Sequence, residues 1–324
     1  MLQIGTFKSP SRVIVAPMAG VTDQPYRQLC RGLGAYWVVS EMVTCDKSLW
    51  HTRKSNLRLR YHDEPDPRWI QIAGADPEMM AEAAVFNQNR GAQILDINMG
   101  CPAKKVCNRA AGSALLRDEA LVARILQKVV GAVSVPVTLK IRLGWSRDEI
   151  NAVRIARIAE QSGVTLLTVH GRTRACRFEG RVDYDAIAEV KAAVDIPVVA
   201  NGDLDSPQKA KEVLAVTGCD AVMIGRAAQG RPWLPAQVDQ FLLTGNFQKN
   251  PDVSEMYRLL IAHIRDLHRF YGEVAGVRIA RKHVGWYLRE LPGHDFLKVF
   301  NKLETAEAQI RAVERTMAEQ RLVA

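Results

Sequence analysis

The sequence predicts a (β/α)8 TIM barrel over residues 1–243, followed by a smaller all-α helical domain over residues 244–324. Short, continuously hydrophobic segments alternate with amphipathic segments eight times before Gln229, and the alternation then stops. Strands of this kind are typical of a parallel sheet that is covered on both faces. The fingerprint G-x-G-x-x-G does not follow the first segment, which argues against an open dinucleotide-binding sheet and favours a closed barrel.

The elements can be placed along the chain from these patterns. The predicted strands cover residues 12–18, 37–42, 69–74, 94–100, 135–144, 165–172, 196–203 and 220–226. Amphipathic segments at 76–90, 118–132, 147–161, 183–193 and 206–216 predict helices, and Asp76 and Ser206 stand at N-cap positions. The first residues, MLQIGTFK, predict a short hairpin that plugs the lower end of the barrel. After Gln229, GRPWLP and TGNFQKNPDVS predict turns and a linker, and helices follow from about residue 254.

Composition excludes several classes of protein. The longest apolar runs fall far short of the roughly 18 residues that a membrane span needs, and no signal peptide pattern opens the chain. Six scattered cysteines without a paired cluster argue against a disulfide framework and against a zinc site. We therefore expect a cytoplasmic protein without a membrane partner or a bound metal.

The net charge is +9, and +5 of it lies between Arg258 and Lys302, where there are nine Lys or Arg residues and four Asp or Glu residues. Four of the seven histidines fall in the same region. This concentration indicates a polyanionic partner, although a solvated charged face is the alternative.

Polar and turn-forming residues gather where the predicted strands end. In a (β/α)8 barrel the carboxyl ends of the strands meet at one mouth, so an active site is expected there. These residues are Pro17, Met18, Ala19, Gln71, Asn98, Cys101, Lys140, His170, Asn201, Gly202, Asp203, Gly225 and Arg226.

Lys140 alternates with Thr138 and Arg142 along the fifth predicted strand, so the three share one face. An inward ammonium needs an acceptor, which is either an internal partner, Glu41 or Asp96, or a cofactor that gains electrons, such as a flavin. The Gly-containing loops after the last two strands are a common phosphate site of barrels.

His170 ends the sixth predicted strand and is a core histidine, a cofactor contact or an acid. The loop GRTRACRFEGR that follows carries Arg172, Arg174 and Arg177 beside an aromatic residue, Phe178. Such a loop suits phosphate contacts and base stacking, and a merely solvated loop is the alternative.

Six motifs occur in one order: VAPMAGVTD, DINMGCPAKKV with AGSALL five residues later, LKIRLGW, VHGRTR, IPVVANGD and MIGRAAQGRPW. Together they resemble the tRNA-dihydrouridine synthases, and the resemblance extends over almost the whole chain. It implies an FMN-bearing barrel, a helical tRNA-binding domain, and reduction of the C5=C6 bond of a specific D-loop uridine with NADPH or NADH.

The resemblance also implies residue roles. FMN would be held by Pro17, Met18, Ala19, Gln71, Lys140, His170, Asn201, Gly202, Asp203, Gly225 and Arg226. Cys101 would give the proton to C5 while the hydride goes from the flavin to C6. A thiol with a pKa of about 8.5 is mostly protonated at neutral pH, as an acid must be, whereas a nucleophile would need the thiolate.

A flipped uridine must be stabilised by contacts elsewhere in the RNA. On the barrel we expect tRNA contacts from Asn98, Lys104, Lys105, Arg172, Arg174 and Arg177. On the helical domain, Arg278, Arg281 and Lys282 lie on one basic face, opposite an apolar face that runs from Val277 to Leu291. We expect a monomer with no obligatory protein partner, because the mouth must admit a bulky RNA.

Overall fold

The computed structural model describes residues 1–108, 110–291 and 296–323, without the side chains of Lys105 and of residues 321–323. Within this part of the chain the strands are β1 Leu2–Ile4, β2 Phe7–Ser9, β3 Val13–Val15, β4 Trp37–Val38, β5 Val43–Thr44, β6 Trp69–Ala73, β7 Ile94–Met99, β8 Val137–Arg142, β9 Leu166–His170, β10 Val198–Asn201 and β11 Ala221–Ile224. The helices are α1 Gln24–Gly32, α2 Arg53–Arg58, α3 Pro77–Asn89, α4 Lys104–Cys107, α5 Glu119–Ala132, α6 Ala152–Gln161, α7 Tyr184–Ala192, α8 Pro207–Thr217, α9 Leu234–Thr244, α10 Val253–Tyr271, α11 Glu273–Tyr287, α12 Phe296–Phe300 and α13 Ala306–Val323.

Parallel strands form the predicted (β/α)8 barrel. Their order in the sheet is β4-β3-β11-β10-β9-β8-β7-β6-β5. Strand β4 lies within the predicted strand 37–42, and β5 follows directly after that predicted strand. A parallel bridge between Val39 and Trp69 links the first part of this strand to β6 and closes the ring. The strand is interrupted because the Ser40 hydroxyl, 3.0 Å away, accepts the backbone N–H of Gln71 that would otherwise extend the ladder.

The amino-terminal hairpin β1–β2 closes the lower end of the barrel, as the sequence predicts. Leu2 and Ile4 are buried in a cluster with the amino-terminal residues of the barrel strands, among them Ile14 and Trp37. The floor is therefore packed, and the opposite end of the strands is left to form a site.

Predicted N-caps are confirmed. Asp76 accepts the N–H of Met79 at 2.8 Å, and Ser206 accepts that of Lys209 at 3.3 Å. Helix α6 begins at Ala152 rather than near residue 147, because Gly144 and Ile150 form a small antiparallel bridge that holds the chain out of the helix.

Helix α9 is not among the predicted elements, and it begins at Leu234, inside the segment GRPWLP that the sequence predicts as turns. This helix packs Leu234 and Val238 into the barrel core and completes the outer ring. Residues 245–252 then connect α9 to α10 without a helix or strand.

The carboxyl-terminal helices have their own core and also pack on the barrel. Val277, Ala280 and Val284 are buried on α11, as the predicted apolar face requires. At the junction the Tyr26 ring lies 5.7 Å from that of His263, and its hydroxyl donates to the Ala228 carbonyl at 2.5 Å. The helical domain is thus anchored beside the loops of the barrel mouth.

Candidate active site

A cavity of about 1130 Å³ opens at the carboxyl ends of the barrel strands. Every residue that the sequence predicts for FMN lines it, together with Cys101 and three of the predicted RNA contacts. Those three are Asn98, Lys104 and Arg177.

The end of the cavity at β10 and β11 is built by glycine turns and arginines. Gly202 and Asp203 follow β10 with φ of 131° and 45°, and a Cβ at Gly202 would lie 2.9 Å from the Val182 methyl groups. The Asp203 carboxylate accepts from Arg226 at 2.9 Å and from Arg172 at 2.9 Å. These arginines hold the pKa of Asp203 below its usual range. Arg226 remains half exposed toward the cavity and is available to an anion.

His170 lies at the end of β9 and is 7% exposed. Burial, with the neighbouring cations Lys140, Arg142, Arg172 and Arg226, drives its pKa far below the usual value, so the ring is neutral. Its Nε2 is buried without a hydrogen-bond partner among the described residues. A satisfied core histidine would have such a partner, and a neutral ring is a poor acid, so the geometry favours a contact to a bound molecule.

Lys140 reaches into the cavity from β8. Its Nζ donates to Asn201 Oδ1 at 3.0 Å, while Asp96 accepts from Gln71 and Thr138 and Glu41 accepts from Arg58. Burial lowers the pKa of Lys140 to about 8. The ammonium therefore lies in a cavity wall with spare donor capacity, which suits an anionic or electron-rich ligand.

A chain of buried amides connects the barrel interior to the Cys101 loop. Gln71 donates to Asp96 at 2.6 Å, Asn98 Nδ2 donates to Gln71 Oε1 at 2.7 Å, and Asn98 Oδ1 accepts the N–H of Cys101 at 3.0 Å. Burial raises the pKa of Asp96 to about 6. The carboxamide of Asn98 is thus used in fixing the loop, although it also borders the cavity.

Cys101 is half-buried at the start of the loop between β7 and α4. Its carbonyl accepts the hydroxyl of Ser113 at 2.9 Å and the N–H of Ser113 at 3.2 Å. This close approach needs Gly112, since a Cβ there would lie 2.8 Å from the Cys101 carbonyl oxygen. Ser113 and Gly112 of the motif AGSALL therefore fix the position of the Cys101 backbone.

The Cys101 thiol is kept in its protonated form. Burial raises its pKa, and this effect outweighs the hydrogen bond from the Ala103 N–H and the nearby cations. A thiol that stays protonated at neutral pH is suited to giving up a proton and unsuited to nucleophilic attack.

Arg142 and Phe178 also line the cavity, although the sequence predicts no role there for Arg142 and only one in base stacking for Phe178. Arg142 is 1% exposed and donates to the carbonyls of Gly100 at 2.9 Å and Arg177 at 2.6 Å. The centre of the Phe178 ring is 5.3 Å from the Arg142 guanidinium and 4.7 Å from that of Arg226. The signal for Arg142 is its place on the same strand face as Lys140.

The residues predicted to contact RNA are placed in different ways. Arg172 is 4% exposed and donates to Asp203 and to the Glu179 carbonyl, so it supports the loop from inside. Arg174 stacks on Trp145 at 4.2 Å. Lys104 and Arg177 are exposed at the cavity rim, and the side chain of Lys105 lies outside the described part.

On α11, Arg278 is exposed and Arg281 is half-buried with its Nη2 donating to the Leu303 carbonyl at 3.1 Å. Lys282 turns toward the barrel, where its Nζ donates to the Gly20 carbonyl. Arg289 lies beyond the helix and lines both the mouth cavity and a shallow groove on the helical domain.

The cavity has the features that a flavin mononucleotide requires. The unpaired Nε2 of His170 supplies a polar contact, Lys140 supplies a partly buried cation, and the glycine turns with Arg226 supply a site suited to a phosphate. Within the described residues, no three His, Cys, Asp or Glu side chains are grouped as metal ligands, and no helix has the length and apolarity of a membrane span.

Fold and site together define a (β/α)8-barrel enzyme with a protonated thiol on a mouth loop and a cationic pocket beside it. The model of the dihydrouridine synthase family matches residues 14–322, and the chain belongs to that family. It is 59% identical over 320 residues to tRNA-dihydrouridine synthase B of Pseudomonas aeruginosa, covering 98% of this chain and 96% of that protein. It is 60% identical to the protein of the same name from Pseudomonas syringae pv. tomato, over 95% of this chain and 92% of that protein. The Vibrio cholerae protein of that name is 52% identical, over 97% of this chain and 98% of that protein.

Proposed function

We propose that the chain is an FMN-dependent tRNA-dihydrouridine synthase that reduces the C5=C6 bond of a D-loop uridine, with NADPH or NADH as the electron source. One observation carries the proposal: the residues suited to hold a flavin and the Cys101 thiol line the same cavity. The family match and the names of the relatives agree with it.

FMN, when bound, supplies the hydride that is added to C6 of the uracil ring. Arg226 and the turns at Gly202 and Gly225 would hold its phosphate, and Lys140 and His170 would contact the rest of the cofactor. As a partly buried cation, Lys140 would also stabilise negative charge on the reduced cofactor. Gln71 and Asn201 fill the remaining wall between these residues, and Pro17, Met18 and Ala19 form the wall on the side of β3.

Cys101 gives a proton to C5 from the opposite face of the uracil ring. Its carbonyl is held by Ser113 and its N–H by Asn98, so the thiol is presented from a fixed backbone. Arg142 fixes the neighbouring Gly100 carbonyl, which ties the Cys101 loop to the arginine-rich loop after β9.

The target uridine leaves the RNA stack to enter the cavity, which costs a few kcal/mol. Exposed cations around the mouth offset this cost by phosphate contacts. On the barrel these are Lys104 and Arg177, and on the helical domain they are Arg278 and Arg289, with the half-buried Arg281 lining the same groove as Arg289. The protein acts as a cytoplasmic monomer in this proposal.

The purified protein is expected to be yellow, and with NADPH it should convert uridine to dihydrouridine in tRNA that lacks the modification. Sequencing of the product tRNA locates the reduced position. A colourless protein that binds tRNA would instead indicate a non-catalytic RNA-binding barrel, and reduction of free pyrimidines without RNA would indicate a small-molecule dehydrogenase.

A further inference from the structure

The loop that joins β3 to α1, residues 17–23, forms one wall of the mouth cavity. Within the loop, the N–H of Met18 donates to Thr22 Oγ1 at 2.8 Å. From the barrel, Glu41 Oε1 accepts the N–H of Gly20 at 2.6 Å and is itself held by Arg58 at 2.9 Å. Through Glu41, the barrel thus fixes the backbone N–H of Gly20.

The helical domain holds the same loop at two further points. Lys282 of α11 donates from Nζ to the Gly20 carbonyl, and a Cβ at Gly20 would lie 3.1 Å from that Nζ. At the end of the loop, Tyr271 of α10 donates its hydroxyl to Asp23 Oδ2 at 2.8 Å. The other oxygen of Asp23 caps α1 by accepting the N–H of Tyr26 at 3.1 Å.

Both contacts are partly buried, and Asp23, the acceptor in one of them, is almost fully so. Asp23 is 2% exposed, and burial raises its pKa to about 6. Burial lowers the pKa of Lys282, while the nearby carboxylates of Asp23 and Glu41 oppose this shift. An ammonium in such a place is retained only where acceptors face it, and the Gly20 carbonyl is one of them.

We propose that Lys282 and Tyr271 are positioning residues for the flavin, because they fix the loop that carries Pro17, Met18 and Ala19. The helical domain then has a second task beside RNA binding: it completes the wall of the cofactor cavity. This inference rests on the proposed function, since it takes FMN as the occupant.

The dissociation constant of FMN tests the inference. Holoenzyme is diluted stepwise, and released FMN is read by its fluorescence for the wild type, Lys282→Met, Lys282→Arg and Tyr271→Phe. Loss of a charged hydrogen bond should weaken FMN binding about tenfold in Lys282→Met, and loss of the hydroxyl about threefold in Tyr271→Phe. Lys282→Arg keeps a donor and should recover most of the affinity, and Lys302→Met, an exposed change on the same domain, should match the wild type.

Binding of tRNA is measured in parallel at saturating FMN. Weaker FMN binding in Lys282→Met with tRNA affinity within about twofold of the wild type supports a positioning role. Unchanged FMN affinity in Lys282→Met and Tyr271→Phe overturns it, and a loss confined to tRNA affinity would make Lys282 an RNA contact. Tyr271→Phe removes a single oxygen and decides the question if Lys282→Met does not fold. A wild-type protein that carries no FMN would contradict the proposed function itself, and the inference with it.

Discussion

Cys101 combines a backbone fixed by hydrogen bonds with a thiol whose pKa is raised by burial. The Cys101→Ala enzyme is expected to bind FMN, and NADPH should still reduce that FMN. The substitution leaves unchanged both Lys140 and the residues proposed to hold the FMN phosphate. The variant should form dihydrouridine at least about 100-fold more slowly, since a positioned acid contributes a factor of this order. Stopped-flow absorbance follows flavin reduction, and mass spectrometry of digested tRNA follows the product.

Cys107 offers the matched control for that variant. It is the last residue of α4, directly after the Cys101 loop, and its thiol donates to the Cys101 carbonyl at 3.6 Å, a weak contact. Cys107→Ala should retain most of the activity. Full activity of Cys101→Ala would remove the thiol from the mechanism.

The protonation of Cys101 can be measured against a second cysteine. The Thr173 hydroxyl, 3.1 Å from the Cys176 sulfur, lowers the pKa of Cys176, whereas burial raises that of Cys101. Because iodoacetamide attacks through the thiolate, the alkylation rate of each thiol rises with pH until its own pKa is passed. Peptide mapping should therefore give a lower midpoint for Cys176 and a higher one for Cys101. A Cys101 midpoint below neutral pH would indicate a thiolate and a nucleophilic role.

At the scale of single residues, the sequence predicts which side chains lie at the mouth better than it predicts their partners. The strand ends identify Lys140, His170 and Asn98, since alternation and the edge of a parallel sheet are local properties. Asn98 bonds to Gln71 on a neighbouring strand and Arg172 bonds to Asp203 after β10, and these pairings become apparent only in the fold.

At the scale of elements, the β1–β2 hairpin acts as the floor of the barrel, opposite the mouth. Ile4 is fully buried there, so Ile4→Ala should lower the free energy of unfolding by about 2–5 kcal/mol. Chemical denaturation measures this change, and kcat should stay near the wild-type value because the cavity is untouched. The exposed change Gln3→Ala should alter stability by less than about 0.5 kcal/mol. An unchanged unfolding free energy for Ile4→Ala would show that the hairpin does not seal the barrel.

The elements themselves follow from local signals where these are strong. The hairpin, the caps at Asp76 and Ser206 and the buried strands are predictable because each depends on a few neighbouring residues. Helix α9 is not predicted because it follows a Gly- and Pro-containing stretch. Its apolar face becomes apparent only in the fold, where the helix packs against β3 and α8. The break in the strand at Ser40 depends on the Gln71 N–H of another strand.

At the scale of the whole molecule, exposed cations continue from the barrel mouth onto the helical domain. Arg278 and Arg289 are exposed, and Arg289 borders the cavity. Replacing both with Gln should weaken tRNA binding about tenfold or more and lower the slope of log Kd against log salt by about two units, one for each phosphate contact. Filter binding over a range of salt concentrations measures both.

Arg311 and Arg315 give the matched control for that pair. They lie on α13 in ion pairs with Glu307 and Glu319, at 2.8 Å and 3.1 Å. Replacing them with Gln should change neither the affinity nor the salt slope. Equal effects of the two double variants would mean that net charge, rather than a basic face beside the mouth, attracts the RNA.

The central claim is that this cavity reduces a uridine presented by tRNA. Enzyme reduced with NADPH under anaerobic conditions and freed of excess NADPH is mixed with unmodified tRNA or with uridine monophosphate, and flavin absorbance is followed. We predict that tRNA reoxidises the flavin and gains one dihydrouridine for each flavin oxidised, while uridine monophosphate leaves it reduced. Reoxidation by uridine monophosphate at the same rate, or none with tRNA, would contradict the account.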